Sequence, residues 1–193
     1  MSQTRPGKRE RLVAAAAEMV YRQGVAPTTL AHIAEAADVP LGNVYYYFKT
    51  KEDIVGAVVQ TRAEQLEAIL AELEARHRTP KTRLKALVEM LADRADETAL
   101  YGCPYGTLAT ELSKRPDGTN PLATHLMELL INWAERQFQQ LVRRDARDLA
   151  IDLVAAYEGA AVLASTLAQP DLMARHSRRL RAWIDAQPGR PTA

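Results

Sequence analysis

Apolar residues along the chain recur at intervals of three and four, the spacing that places them on one face of an α-helix. The first such stripe covers Lys8–Gln23 and ends at Gly24, a residue type that commonly terminates helices. Two shorter stripes follow within residues 28–48, and Asp38-Val39 separates them. The pattern therefore predicts one full-length helix followed by two short helices joined by a tight turn.

A longer stripe follows Thr50, which together with Asp53 has the spacing of a capping box. This stripe continues to the break at Thr79-Pro80. Later stripes predict helices over residues 84–95, 104–113, 121–144, 146–168 and 171–186, with a turn at 115–118 and a cap at Asn120. With no alternating strand pattern, the sequence predicts an all-α protein of about nine helices. We expect a three-helix N-terminal domain at residues 5–65 and a larger helical domain at 66–193.

The segment Ala150–Ala168 is apolar on nearly every face. A membrane span is disfavoured, because Asp152 and Glu158 would be costly in lipid and no aromatic belt flanks the segment. A soluble protein must cover such a helix on both sides. A second copy of the chain could approach closely over its small residues, which are Ala155, Ala156, Gly159, Ala160, Ala161 and Ala164. We therefore predict a homodimer, with a buried central helix as the alternative.

Composition excludes several classes of site. The lone Cys103 cannot form an intramolecular disulfide, and the four histidines never recur at the spacing of a metal-binding helix. The sequence also contains no nucleophile–base order, paired carboxylates or glycine-rich phosphate loop. We therefore expect no enzyme activity, no metal and no cofactor. No apolar run follows the N-terminal charges, so we expect no secretory signal and a cytoplasmic location.

Charge is distributed unevenly along the chain. Residues 1–51 carry seven Lys and Arg against four Asp and Glu, whereas the remaining chain carries eighteen against twenty. This excess indicates an anionic partner for the N-terminal quarter.

Residues 28–48 have the pattern of a helix-turn-helix, in which apolar residues lock two short helices at an angle. The inward set is Leu30, Ile33, Ala34, Ala37, Val39, Val44 and Phe48. The outward set is Leu41, Gly42, Asn43, Tyr45, Tyr46 and Tyr47, followed by Lys49 and Lys51, with Tyr45 expected to pack partly in the core. Such a helix fits the DNA major groove, where Gly42 permits close approach and Asn43 can read a base edge. Tyrosine hydroxyls and lysine amines can bind phosphates.

Residues 9–63 resemble the tetracycline-repressor (TetR) family of bacterial regulators. The resemblance is strongest at Thr29-Leu30-x-x-Ile33-Ala34-x-x-Ala37-x-Val39 and at Gly42-Asn43-Val44-Tyr45-Tyr46-Tyr47-Phe48-Lys49-x-Lys51-Glu52. A second segment, residues 101–112, resembles the multidrug-responsive members of that family. The resemblance implies a dimeric regulator that binds double-stranded DNA at a palindromic operator.

The resemblance also implies a role for each matching position. Thr29 would cap the first motif helix and touch a phosphate. The positions that would face bases are Leu41, Gly42, Asn43 and Tyr45. The positions that would contact the DNA backbone are Tyr46, Tyr47 and Lys51. Since Leu41 can make only apolar contacts, base readout would rest on Asn43 and Tyr45.

By the same resemblance, residues beyond about 66 would bind a small molecule and dimerise through the last two long helices. Candidate pocket residues are Met90, Tyr101, Cys103, Tyr105, Leu108, Trp133, Phe138 and Tyr157. Core packing is the alternative for each of them. Together they describe an apolar pocket with hydroxyl groups, suited to a hydrophobic or aromatic ligand. No cation flanks Cys103 in sequence, so a redox role is not expected.

The resulting hypothesis is a repressor dimer that presents two recognition helices about 34 Å apart, one turn of DNA. The long helix over Lys51–His77 would transmit ligand binding to that spacing. The alternatives are a dimeric small-molecule-binding protein and an activator-type regulator.

Overall fold

The computed structural model describes residues 6–114, 121–141 and 144–188. These residues form ten helices and no strand, which confirms the all-α prediction. The helices are α1 (Lys8–Gln23), α2 (Leu30–Ala36), α3 (Leu41–Tyr47), α4 (Lys51–Arg76), α5 (Pro80–Ala92), α6 (Ala95–Tyr101), α7 (Gly106–Ser113), α8 (Pro121–Gln139), α9 (Ala146–Thr166) and α10 (Asp171–Ala186). The turn predicted at 115–118 and the cap predicted at Asn120 lie outside the described residues.

The N-terminal helices pack in a chain of neighbours. α1 lies against α2 and α4, and α2 lies against α3. Leu12, Ala16 and Ile33 are fully buried between them, as the periodic pattern predicts. The Thr50 hydroxyl accepts a hydrogen bond from the Asp53 amide at 3.1 Å, and the Asp53 carboxylate accepts from the Thr50 amide at 2.9 Å. This predicted capping box starts α4 directly after the helix-turn-helix and holds the pKa of Asp53 below its ordinary value, mainly through the Thr50 amide.

The larger part of the molecule is built around α9. This helix packs against α6, α8 and α10, while α5 lies on α10 and α8. Its length and its mean hydropathy of 1.4 would also allow a membrane span. However, nine of its residues are buried against the neighbouring helices of the same chain. We interpret α9 as the central helix of a bundle.

Three helix boundaries differ from the predicted ones. The stripe predicted over 84–95 is divided at Asp93 and Arg94, which makes α6 a separate helix and gives one more helix than expected among the described residues. α7 begins at Gly106 rather than at 104, because residues 102–105 form a turn in which Gly102 has φ +79°. α8 ends at Gln139, five residues before its predicted end.

Candidate nucleic-acid interface and ligand cavity

The turn between α2 and α3 is closed by its own backbone. Thr29 caps α2, and its hydroxyl accepts a hydrogen bond from the His32 amide at 3.2 Å. At the other end the Val39 amide donates to the Ala34 carbonyl at 3.0 Å, and Asp38 has φ +51°. A left-handed residue in this position ends a helix sharply, and aspartate accepts that conformation more readily than most residues. The turn therefore sets the angle at which α3 leaves α2.

The inner face of α3 fastens it to the rest of the domain. Val44 is fully buried and Phe48 is only 3% exposed. The Arg9 guanidinium of α1 lies 5.5 Å from the centre of the Phe48 ring, a cation–π contact. Arg11, also on α1, forms an ion pair of 3.6 Å with Asp38 in the turn. These two arginines of the basic N-terminal segment therefore hold the helix-turn-helix against α1.

The outer face of α3 is left open to solvent. Tyr46 is 79% exposed and Tyr45 is 47% exposed, so Tyr45 contributes less to the core than the pattern predicted. Leu41 and Tyr47 are also exposed, and Asn43 is half-buried. A Cβ built on Gly42 would meet no atom within 4 Å, which means that a partner surface can approach the backbone there. The structure thus brings the predicted α3 positions together on one exposed surface.

Lys51, the first residue of α4, is held by the turn between α1 and α2. Its Nζ donates to the Val25 carbonyl at 3.0 Å and to the Ala26 carbonyl at 3.1 Å. A lysine amine has three N–H donors, so one remains available to a phosphate. Lys51 therefore also braces the turn between α1 and α2, a role that the sequence pattern does not indicate.

The same turn is held from its other side by Glu111 of α7. The Glu111 Oε1 accepts hydrogen bonds from the Val25 amide at 2.7 Å and from the Ala26 amide at 3.0 Å. Gly24 precedes them with φ +86°, and a Cβ there would lie 3.1 Å from the Glu111 carboxylate. We call Val25–Ala26, with Glu111 and Lys51, the clamped turn. It is a direct polar connection between the helix-turn-helix and the larger part of the molecule.

A second contact joins α1 to the segment after α6. The Tyr21 hydroxyl donates to the Gly102 carbonyl at 3.0 Å, and the rings of Tyr21 and Tyr101 meet edge to face at 5.4 Å. Gly102 has no room for a side chain, because a Cβ would lie 2.5 Å from the Thr107 hydroxyl. The turn before α7 is thereby fixed against α1.

A cavity of about 600 Å³ opens between α7, α8 and α9. Its walls come from small and polar residues more than from large ones, including Gly102, Gly106, Thr110, Ala161 and Ser165. Glu111 of the clamped turn also lines it. Of the eight predicted pocket residues, Cys103 is the one that the described cavity wall contains.

The other seven predicted pocket residues lie elsewhere in the described structure. Trp133 and Phe138 are buried, and the Phe138 ring packs edge to face on Trp183 at 5.8 Å. Tyr157 lines a small separate void of about 10 Å³. Tyr105 and Leu108 are buried, and Met90 and Tyr101 are half-buried. The structure therefore does not gather these large side chains into one pocket.

The inner end of the cavity holds Cys103 and Glu158. Burial is the main cause that raises the pKa of the Cys103 thiol to about 12, and the neighbouring Glu158 carboxylate raises it further. Burial also raises the pKa of Glu158. Such a thiol is a poor nucleophile at neutral pH. Neither Glu158 nor Glu111 was assigned a role from the sequence, because a single acidic residue in a helix gives no local signal of its partners.

No group of three or more potential metal ligands occurs within residues 6–114, 121–141 and 144–188. The chemistry that these residues offer is an exposed helix for recognition and an open cavity with two carboxylates.

Two family models match the chain. The model for bacterial regulatory proteins of the tetR family matches residues 12–58, and the model for the LmrA/YxaF-like C-terminal domain of transcriptional regulators matches residues 80–179. The chain is similar to the HTH-type transcriptional repressor DhaR of Mycobacterium sp. (strain GP1), with 29% identity over 163 residues, 79% of each chain.

Solved structures have the same fold. A TetR transcriptional regulator from Legionella pneumophila superposes with a TM-score of 0.82 at 19% identity, covering 95% of this chain and 98% of that one. A TetR regulator from Chloroflexus aurantiacus gives a TM-score of 0.80 at 26% identity, covering 93% and 95%. The chain therefore belongs to the TetR family of DNA-binding helix-turn-helix transcriptional regulators, with an LmrA/YxaF-like C-terminal domain, and is not an enzyme.

Proposed function

We propose that the protein is a cytoplasmic, homodimeric repressor that leaves a palindromic operator when a small apolar or aromatic molecule binds its C-terminal domain. Residues 5–65 form the DNA-binding domain and residues 66–193 the ligand-binding and dimerisation domain. The observation that carries the proposal is the exposed face of α3, where Tyr46 and the open backbone at Gly42 face solvent. An exposed aromatic surface beside a basic segment suits a DNA groove.

On the operator, each position has a distinct task. Leu41, Gly42, Asn43 and Tyr45 face bases, whereas Thr29, Tyr46, Tyr47 and Lys51 contact the backbone. Asn43 can form two hydrogen bonds to an adenine edge, and Leu41 can touch a thymine methyl group. Lys51 uses the N–H that the clamped turn leaves free.

The second copy docks on α9. Ile151, Ala155, Gly159 and Val162 follow helical spacing along an exposed stripe, and Val162 is 60% exposed. A Cβ on Gly159 would meet no atom within 4 Å, so another helix can approach closely there. Three other small residues of α9, which are Ala160, Ala161 and Ala164, are buried within the chain's own bundle instead. An apolar stripe of this kind favours a symmetric partner over solvent.

The cavity between α7, α8 and α9 is the proposed ligand site. Its volume of about 600 Å³ lies within the usual range for small-molecule pockets. Met127, Ala109 and Ala161 supply apolar walls. These walls suit an apolar or aromatic molecule, and the polar side chains beside them are available for hydrogen bonds.

Ligand binding reaches the DNA-binding domain by two routes. Glu111 lines the cavity and also holds the amides of Val25 and Ala26, so a shift of α7 displaces the clamped turn that precedes α2. The long helix α4 contacts both α1 and α8 and provides the second route. Because ligand and operator act on the same elements, each weakens the other's affinity by the same factor.

The operator is tested with labelled DNA from immediately upstream of the protein's own gene, at two salt concentrations. Wild-type protein should bind one palindrome above nonspecific DNA, and the affinity should fall as salt rises. Tyr46→Ala should weaken binding by roughly tenfold, the loss expected for one good contact. Leu100→Ala is the matched control, since Leu100 is 70% exposed on α6, away from α3. Equal behaviour of both variants would contradict the proposed face, whereas failure of wild-type protein to bind at low salt would favour the small-molecule-binding alternative.

The dimer is tested by Gly159→Glu, which places a charge on the α9 stripe without an intrachain clash. Sedimentation should show a dimer for wild type and a monomer for the variant, with operator binding lost. Ala71→Glu, at an exposed position of α4, should remain dimeric. A dimeric Gly159→Glu protein would place the interface elsewhere.

A further inference from the structure

Glu158 is an acidic residue in the wall of the cavity. Its Oε1 is buried and has no hydrogen-bond partner. Glu158 lines the cavity, and within the described part of the chain it forms no ion pair. Buried carboxylates are normally paired, because burying an uncompensated charge is costly.

The surrounding residues accommodate this carboxylate without neutralising it. A Cβ built on Gly106 would overlap the Glu158 carboxyl group, so a glycine is required at that position for the side chain to lie there. The neighbouring Cys103 thiol is buried, and burial raises its pKa to about 12, so it adds no charge that could balance the carboxylate. The position thus accommodates the Glu158 side chain, and within residues 6–114, 121–141 and 144–188 no cation pairs with its carboxylate.

Two other charged residues line the same cavity, and neither acts as a counterion to Glu158. The Glu111 Oε1 is occupied by two backbone amides of the clamped turn. Lys114 is exposed directly after α7 and, within the described residues, forms no ion pair with Glu158. The inner part of the cavity is consequently acidic, between apolar walls that include Met127 and Ala161.

We propose that the ligand carries a protonated amine that pairs with Glu158 while its apolar body lies between α7, α8 and α9. This inference rests on the proposed function, because it defines the chemical class of the inducer. A cation supplies the missing charge and a hydrogen-bond donor for the carboxylate at once. A neutral hydroxyl supplies only the donor, and an anion is repelled by the carboxylate.

The test uses free protein without DNA and a graded series of aromatic probes. The amines are benzylamine, 1-naphthylmethylamine and 9-anthracenylmethylamine, each compared with the corresponding alcohol and carboxylic acid of the same ring system. Calorimetry at neutral pH measures the affinities, because every amine is then protonated. At least one amine should bind roughly tenfold more tightly than its alcohol, and the acid should bind most weakly.

Two variants identify the group responsible. Glu158→Gln keeps the shape of the side chain and should abolish the preference for the amine over the alcohol. Asp152→Asn removes one charge from an exposed position on the same helix and should leave that preference unchanged. Failure of all three amines to bind, tighter binding by alcohols or acids, or a preference that survives in Glu158→Gln would overturn the proposal.

Operator binding separates this inference from the function on which it rests. If an amine binds through Glu158 but does not release the operator, the amine site is supported and the proposed switch is wrong. If wild-type protein binds its operator while no amine binds, the regulator is supported and the amine site is wrong.

Discussion

The helix-turn-helix and the cavity region place their polar groups in opposite ways. In α2 and α3 the apolar side chains point inward and the tyrosines and Asn43 lie at or near the surface. Around the cavity, Glu158 and Cys103 are turned inward beneath α7. A surface that meets a large rigid partner needs exposed groups on a firm support, whereas a site for a small molecule needs interior space. Under the proposed function, one chain would use two kinds of recognition, one on an exposed helix and one in a cavity.

Mutations on the inner face of α3 should change the stability of the protein, whereas mutations on its outer face should change operator binding. Phe48→Ala removes a side chain that is 3% exposed and should lower the free energy of unfolding by about 3–5 kcal/mol. Tyr46→Ala, on the exposed face, should change it by less than about 0.5 kcal/mol while still weakening operator binding. Urea unfolding measures both. A large loss of stability in Tyr46→Ala would contradict the division between inner and outer faces.

The clamped turn joins the helix-turn-helix to the cavity region, and substitution of Glu111 should weaken it. Glu111→Ala leaves the amides of Val25 and Ala26 without their acceptor and should cost about 1–3 kcal/mol. Hydrogen exchange of those two amides should accelerate, because the turn opens more often. Exchange in the buried part of α9 should change less. Glu111→Gln retains an oxygen acceptor and should give a smaller effect. Unchanged exchange at the turn would show that the Glu111 carboxylate does not hold it.

The internal carboxylate should give the smallest effect, with a distinctive dependence on pH. Burial raises the pKa of Glu158 in the folded protein, so the folded state binds its proton more tightly than the unfolded state does. The charged form therefore destabilises the fold above that pKa, and the penalty disappears at low pH. Glu158→Gln should be more stable than wild type at pH 8, by about 1 kcal/mol, and the difference should vanish as pH falls below the ordinary carboxyl range.

Denaturant unfolding at a series of pH values measures this difference, with Asp152→Asn as the control. Asp152 is exposed on the same helix and should show no comparable trend. A gap that widened toward acid pH would contradict the direction assigned to the Glu158 pKa.

Much of the fold was predictable because its determinants are local in sequence. α1 runs over the predicted residues, Thr50 and Asp53 form the predicted capping box, and Val44 and Phe48 are buried as expected. Periodicity and capping depend on residues three or four positions apart, and a single sequence contains that information. The predicted helix over 84–95 is interrupted at Asp93 and Arg94. Because neither residue is a glycine or a proline, the pattern does not predict a break there.

The cavity was not predictable by the same reasoning. The sequence pattern predicts large side chains as pocket residues. Large side chains fill space, however, and Trp133 and Phe138 pack in the core for that reason. A cavity remains where residues are small, as at Gly106 and Ala161. Its polar contacts are also distant in sequence, since Glu111 meets a turn 86 residues earlier. A periodic pattern of apolar residues does not indicate a contact between residues so far apart in sequence.

The clamped turn has a consequence for engineered sensors built by exchanging domains between regulators. Cutting the chain within α4 preserves both helical units, yet it separates Val25 and Ala26 from the carboxylate that holds them. A hybrid with a foreign C-terminal domain would keep Lys51 on the carbonyl side of the turn and lose Glu111 on the amide side. Such a hybrid could bind the operator and bind its new inducer without connecting the two events. Transplanting an acidic residue into the facing helix, with Gly24 retained, is the design rule that this structure supplies.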